Sequence, residues 1–188
     1  MSILRLTVVL DGIEPRVART LMVPADLRLD RLHLVLQAAM GWQNMHLYEF
    51  AAGDLRWGLS DPDLGLDVLP AGKAHVQDAL AAAGTTSLRY IYDFGDDWLH
   101  LITAVPTYGP LSGQLYPRLV DAQGRCPPED VGGAPGYEHF LDAVANPRHP
   151  DHADLLDWHG GLFDPVVAPT DELQLNVLKL AKRWKPKK

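Results

Sequence analysis

Cysteine is almost missing from this chain of 188 residues: Cys126 stands alone, so an intramolecular disulfide framework is excluded, in agreement with a reducing compartment. Long apolar runs are missing too. No stretch approaches about 18 residues, and no charged leader precedes an apolar run with a small-residue cleavage site, so a cytoplasmic protein without a membrane segment is expected. Positive charge is in short supply, with 17 Lys and Arg against 24 Asp and Glu and a formal net charge of -7. A nucleic-acid surface is thereby confined to a local patch, and the one basic cluster is the terminal KLAKRWKPKK. Neither CxxC nor HExxH occurs, which removes the strongest zinc signatures. No internal repeat is visible.

What is present is enough apolar material, 47% of residues, to bury a substantial core. The simplest organisation is one domain over residues 1–166 followed by a C-terminal helix with a basic tail over 167–188. ILRLTVVL alternates as a strand, Asp11-Gly12 supplies turn chemistry, and a second strand is expected near Arg16 to Val23. Leu29, Leu32, Leu36, Ala39 and Met40 follow helical spacing, with Gly41 placed for a left-handed stop. His33 shares that stripe and reads as a hydrogen-bonded core histidine. HLYEFAAG and DLRWGLS read as strands joined at Gly53-Asp54, residues 61–72 as a loop, and AHVQDALAAAG as a short helix ended by Gly84. SLRYIYDF and WLHLITAV form a further strand pair. This order favours an α+β fold, a mostly antiparallel sheet packed on helices.

Residues 106–136 carry six prolines and six glycines and read as a long excursion over the surface. GYEHFLDAVAN and DHADLLDWHGG then suggest two helices, the second stopped by Gly160-Gly161. In the last helix Thr170 is placed as the cap, Asp171 and Glu172 sit in the first turn and the final turn is basic, an order that suits the helix dipole.

The chemistry-bearing stretch is YIYDFGDDWLH, residues 90–100. If Gly95-Asp96 is a two-residue turn, Asp93 faces Trp98, Tyr92 faces Leu99 and Ile91 faces His100. Asp93, Trp98 and His100 then share one face, with Tyr90, Tyr92, Leu99 and Leu101 on the core side. Cross-strand diagonals of about 7 to 8 Å let Asp93 fix the His100 tautomer or raise its pKa. Asp96 and Asp97 crowd the tip. A one-residue bulge would separate Asp93 from His100.

A second constellation is CPPEDVGG, residues 126–133. Its prolines stiffen the backbone, Glu129 and Asp130 project, and Gly132-Gly133 permit positive φ or a close approach of another chain. Cys126, with only Arg125 as a basic neighbour, reads as a structural thiol rather than an activated one. His139, His149, His152 and His159 are available to a metal, but their spacing matches no established ligand pattern.

Together YIYDFGDDWLH, RCPPEDVGG, GYEHFLDAVANPRHPDH, WHGG and FDP, with the opening LRLTVVLDGIEPRVARTLMVPADLRLDRLHLVLQAAMGWQNMHLYEF, resemble the family named after the third open reading frame of an Ri plasmid. Members are also labelled passenger proteins of insertion elements. The resemblance covers about residues 3 to 166. It implies an α+β roll-like domain with a mobile-element association and assigns no activity; no serine-recombinase arrangement is visible. Its signature falls on Tyr92, Asp93, Phe94, Gly95, Asp96, Trp98, His100, Cys126, Pro127, Pro128, Glu129, Asp130, Gly132, Gly133 and Tyr137. Three positions depart from the family pattern: Ala18 for an aromatic, Val105 for an acid, and Leu119 for a second cysteine.

The expected function is a non-catalytic interaction module. The hairpin over 90–105 and the loop over 126–133 form its face for a protein or peptide partner, with no cofactor. Binding is placed on Asp93, Asp96, Asp97, Trp98, His100, Cys126, Glu129, Asp130, Gly132, Gly133 and Tyr137. The alternative from another class is a metal-dependent hydrolase or nuclease-like enzyme using Asp93, Asp96, His100 and Glu129. A third reading is nucleic-acid binding through Lys179, Lys182, Arg183, Trp184 and Lys185.

Overall fold

Alternation with period two builds the first strand: β1 (Ile3–Leu10) buries Leu4, Leu6, Val8 and Leu10 while Arg5 and Thr7 face water. The computed structural model describes residues 2–59 and 67–185. β1 pairs with β2 (Ala18–Pro24) on one side and with β7 (Trp98–Pro106) on the other. The remaining strands are β3 (Tyr48–Ala52), β4 (Leu55–Gly58), β5 (Leu69–Pro70), β6 (Ser87–Tyr92) and β8 (Arg118–Gln123). They make one eight-stranded sheet in the order β5-β4-β3-β6-β7-β1-β2-β8, antiparallel except for β4 and β5.

One sheet face is covered by helices, as the α+β reading requires. α1 (Leu29–Met40) buries Leu29, Leu32, Val35, Leu36 and Ala39, and stops at Gly41 with φ 90°. α5 (Thr170–Trp184) packs Leu173, Val177 and Ala181 against α1 and β8. Between them in sequence lie α2 (Val76–Ala82), α3 (Gly133–Ala145) and α4 (His152–His159), the last ended by Gly160 with φ 85°. Thr170 is the first helical residue and not the cap: its hydroxyl donates back to Ala168 O at 3.4 Å, and Pro169 occupies the cap position. Among the described residues no helix is long and apolar enough to cross a membrane.

Three further expectations are corrected. The excursion over 106–136 is interrupted by β8, an edge strand on β2 whose partly exposed, weakly alternating RLVDAQ gives little period to read. The loop over 61–72 falls partly outside the described residues; within them, residues 69–73 form β5 and a 3-10 turn.

The third correction is the hairpin register. Tyr92 faces Trp98, Ile91 faces Leu99 and Tyr90 faces His100, so the loop is the five residues 93–97. Asp93 (φ 59°) and Asp97 (φ 56°) take the left-handed conformations that close it, roles that aspartate can fill and that the sequence reading gives to glycine. Asp97 N–H donates to Asp93 O at 2.7 Å, and Gly95 N–H to Asp93 Oδ1 at 2.9 Å. A shift of one residue turns all of β7 over. Trp98 and His100 therefore join Tyr90 and Tyr92 in the core, while Leu101 is exposed.

Candidate functional site

The core beneath the hairpin tip is aromatic and polar at once. Trp42, just after α1, stacks on Tyr92 with centroids 5.0 Å apart, meets His100 edge-on at 5.3 Å, and donates its indole N–H to Pro127 O at 2.9 Å. The chain from Trp42 to Leu47 is thereby laid between β6 and the 126–133 loop.

A closed ring of hydrogen bonds fixes the middle of that segment. Gln37 Nε2 donates to the Tyr90 hydroxyl at 3.0 Å, which donates to His33 Nδ1 at 2.7 Å. His33 Nε2 donates to Asn44 Oδ1, and Asn44 N–H closes the circuit on Gln37 Oε1 at 2.9 Å. A neutral His33 with its proton on Nε2 satisfies all four, and burial favours that neutral form. Tyr48 stacks on the imidazole at 3.6 Å. His33 is thus the core histidine expected, and burial pushes its pKa down to about 4.

Above this layer three carboxylates converge on one imidazole. His46 Nε2 lies 2.9 Å from Asp130 Oδ1, 3.5 Å from Asp93 Oδ2 and 3.9 Å from Glu129 Oε2. The Asp130 contact is close but lacks hydrogen-bond geometry, and Nε2 is shielded from solvent. The Asp93 and Glu129 side chains are 11% and 10% exposed. Glu129 accepts from Gln43 N–H at 2.6 Å and from the Tyr92 hydroxyl at 3.1 Å. Burial, reinforced by that carboxylate, pushes the Tyr92 phenol up to about 12, so it stays protonated and donates. Among the described residues His46 is the only basic side chain within 4.0 Å of these three carboxylates.

The hairpin tip and the second loop are physically joined. Gly132 N–H donates to Asp96 Oδ2 at 3.2 Å, and a Cβ on Gly133 would fall 2.7 Å from Asp96 O. The close approach expected of this glycine pair is therefore made to the hairpin itself.

Of the expected binding residues, Asp93, Glu129 and Asp130 meet at His46, while Asp96, Gly132 and Gly133 form the seam. Asp97 is exposed and lines, with Phe94, Ile91, Glu49, Arg56 and Val68, a groove of about 390 Å³ on the outer sheet face. Trp98, His100, Cys126 and Tyr137 are buried and do not reach the surface, which corrects their placement on the binding face. The Asp93–His100 pair does not form: His100 Nδ1–H donates to Trp98 O at 3.0 Å, shared with Tyr90 O at 3.2 Å. Its pKa moves opposite to the expectation, down to about 4, because burial outweighs the hydrogen bonds. An enzyme built on Asp93, Asp96, His100 and Glu129 therefore lacks its histidine, and His46 stands where His100 is expected. Nothing in WQNMHLYEF marks His46 except its place before a strand.

Cys126 is the buried thiol anticipated, and burial pushes it up to about 12 despite the nearby Arg19. Reaction of the native protein with a thiol reagent at pH 8 is expected to be at least about a hundredfold slower than in urea, because so little thiolate is present. Equal rates in the two conditions would refute this assignment. In the basic tail, Trp184 lies under the Arg31 guanidinium at 5.1 Å, and Lys182, Arg183 and Lys185 are exposed. Residues 186–188 lie outside the described part.

This architecture recurs elsewhere. A protein of unknown function from Methanosarcina mazei Go1, MM3350, superposes with a TM-score of 0.80 at 27% identity, over 91% of this chain and 97% of that one. In sequence, the chain is 45% identical over 184 residues to the uncharacterized protein y4hQ of Sinorhizobium fredii, covering 97% of this chain and 94% of that protein. The family model described as plasmid pRiA4b ORF-3-like protein matches residues 2–172, which takes in the carboxylate cluster, the seam and the first turn of α5; the chain belongs to that family.

Proposed function

We propose that the chain is an interaction module that takes a basic, partly apolar peptide segment of a partner protein at the face made by residues 42–47, 93–97 and 126–133. The observation that carries this reading is the charge balance at His46: three carboxylates, two of them about nine-tenths buried, with a single imidazole between them. Carboxylates held this close and this short of cations favour a positive group from outside, and a Lys or Arg side chain supplies one with matching donors. Around the cluster Met45 (65% exposed), Leu47 (38%) and Phe94 (47%) offer apolar contact to the residues on either side of that cation. Rim carboxylates such as Asp130 steer a basic segment inward.

The test is selection of peptides from a displayed random library, followed by titration of the winners against variants of unchanged melting temperature. Winners are expected to carry Lys or Arg beside an apolar residue, to weaken with salt, and to lose about tenfold in affinity against Asp130→Asn and against Phe94→Ala. Enrichment of acidic peptides, or affinity for either variant equal to that for the unsubstituted protein, would overturn the reading.

A second reading rests on one further observation: donor atoms of His46, Asp93 and Asp130 lie within 4.8 Å of one another, a set that suits a divalent cation. Melting with and without Mg²⁺, Mn²⁺ and Zn²⁺ separates the two readings. A shift abolished by Asp130→Asn supports the metal, and its absence leaves the peptide reading standing alone.

A further inference from the structure

Apart from the residues already described, the junction between α3 and α4 gathers a different set of donors. His139 comes from α3; His149 and Asp151 come from the turn that leads into α4. His139 Nε2 is 3.1 Å from Asp151 Oδ2, and His149 Nδ1 is 3.9 Å from the same oxygen. The two imidazole rings stand 5.2 Å apart at 71°. One ligand atom from each of the three residues lies within 4.8 Å of the other two.

We infer that His139, His149 and Asp151 form a surface site for a late first-row divalent metal, of which zinc and nickel are the representative probes. A metal about 2.0 to 2.2 Å from each donor sets them about 3 to 3.5 Å apart, so one pair is already at that spacing and the others need a small side-chain rotation. The room for that rotation exists, since the side chains of His139 and Asp151 are 54% and 49% exposed.

The backbone around the site is held independently of any metal. His149 N–H donates to Asn146 O at 2.9 Å, His152 N–H to His149 O at 3.1 Å, and the His152 ring, through Nδ1, to Ala143 O at 2.8 Å. His152 is thereby committed to the scaffold and is not a ligand through that nitrogen. In the metal-free arrangement Asp151 N–H donates to His149 Nδ1 at 3.2 Å, a long bond that coordination through that nitrogen replaces.

Two imidazoles with one carboxylate select zinc, nickel or copper over magnesium and calcium, which prefer all-oxygen shells. Three protein donors leave at least one coordination position for water or for a donor from another molecule. This inference stands apart from the peptide face, which uses none of these residues.

The experiment is calorimetric titration of the full chain at pH 7.5 with Zn²⁺, Ni²⁺ and Mg²⁺, followed by substitution with Co²⁺, whose visible spectrum reports nitrogen ligation. Zinc and nickel are expected to bind one per chain while magnesium does not. His139→Ala and His149→Ala should each weaken zinc at least about tenfold, since loss of even a supporting outer residue costs that much. Asp130→Asn should leave this binding unchanged. Zinc binding that persists in His139→Ala and His149→Ala, that disappears in Asp130→Asn, or that is absent from the unsubstituted protein would overturn the assignment. His139 is an exposed helix position, so its replacement leaves the fold intact, and circular dichroism confirms that before titration.

Discussion

Between pH 7 and pH 4 the protein is expected to lose about 6 kcal/mol of folding stability to two histidines alone, a large share of the 5 to 15 kcal/mol typical of a domain. Burial holds both His33 and His100 down to about 4 in the folded protein, against 6.5 for an unperturbed histidine. In that window the unfolded chain binds protons that the folded one refuses, so stability is full above pH 6.5 and falls as the pH drops toward 4. Each group contributes about 3 kcal/mol at the lower limit. The structural reasons are separate. His33 accepts the Tyr90 hydroxyl on Nδ1, a bond that protonation of that nitrogen would have to reverse. His100 is fully buried, and a proton on Nε2 would find no acceptor among the described residues.

Urea midpoints measured in steps from pH 7.5 to pH 4 test this directly. The wild-type midpoint should fall steeply below pH 6.5, and His100→Leu should flatten about half of the slope whatever its stability at neutral pH. A wild-type midpoint constant down to pH 4.5, or a slope unchanged in His100→Leu, would contradict the assignment.

The second large effect is expected at the seam. Gly133 has φ 67°, and a Cβ there would sit 2.7 Å from the Asp96 carbonyl oxygen, with backbone on both sides and nothing flexible to yield. Gly133→Ala should cost about 3 kcal/mol or more, the left-handed backbone alone accounting for about 1 to 2 kcal/mol. Gly84 separates the two contributions. Its φ of 62° is similar, but nothing lies within 4 Å of its Cβ position, so Gly84→Ala carries the conformational cost without the clash. Equal losses in the two variants would show that the close approach contributes nothing. A larger loss at Gly133 should be accompanied by weaker peptide binding, because the carboxylates of Glu129 and Asp130 are held next to the tip by this contact.

Much of the framework is legible in the residues because it is periodic. β1 alternates, α1 repeats its leucines at helical spacing and ends on a glycine, and α5 carries its charges in the order its dipole favours. The failures are equally physical. The turn DFGDD contains one glycine, yet its left-handed positions are filled by Asp93 and Asp97, so counting from the glycine misplaces the register by one and turns Trp98 and His100 outward. β8 lies at an edge, where packing imposes little pattern. The site itself is assembled from three segments far apart in sequence. Asp93, Glu129 and Asp130 could be named because their stretches are chemically dense. His46 could not, because its role depends on where the chain after α1 is laid.

That laying-down depends on the four-membered ring of Gln37, Tyr90, His33 and Asn44. It clamps the loop two residues before His46 to both the helix and the sheet. The entropy of ordering this loop is therefore lost during folding and not at the moment of association. A partner that meets the face encounters donors and acceptors already in position, and the affinity it gains from them is not diminished by having to immobilise the chain that carries them.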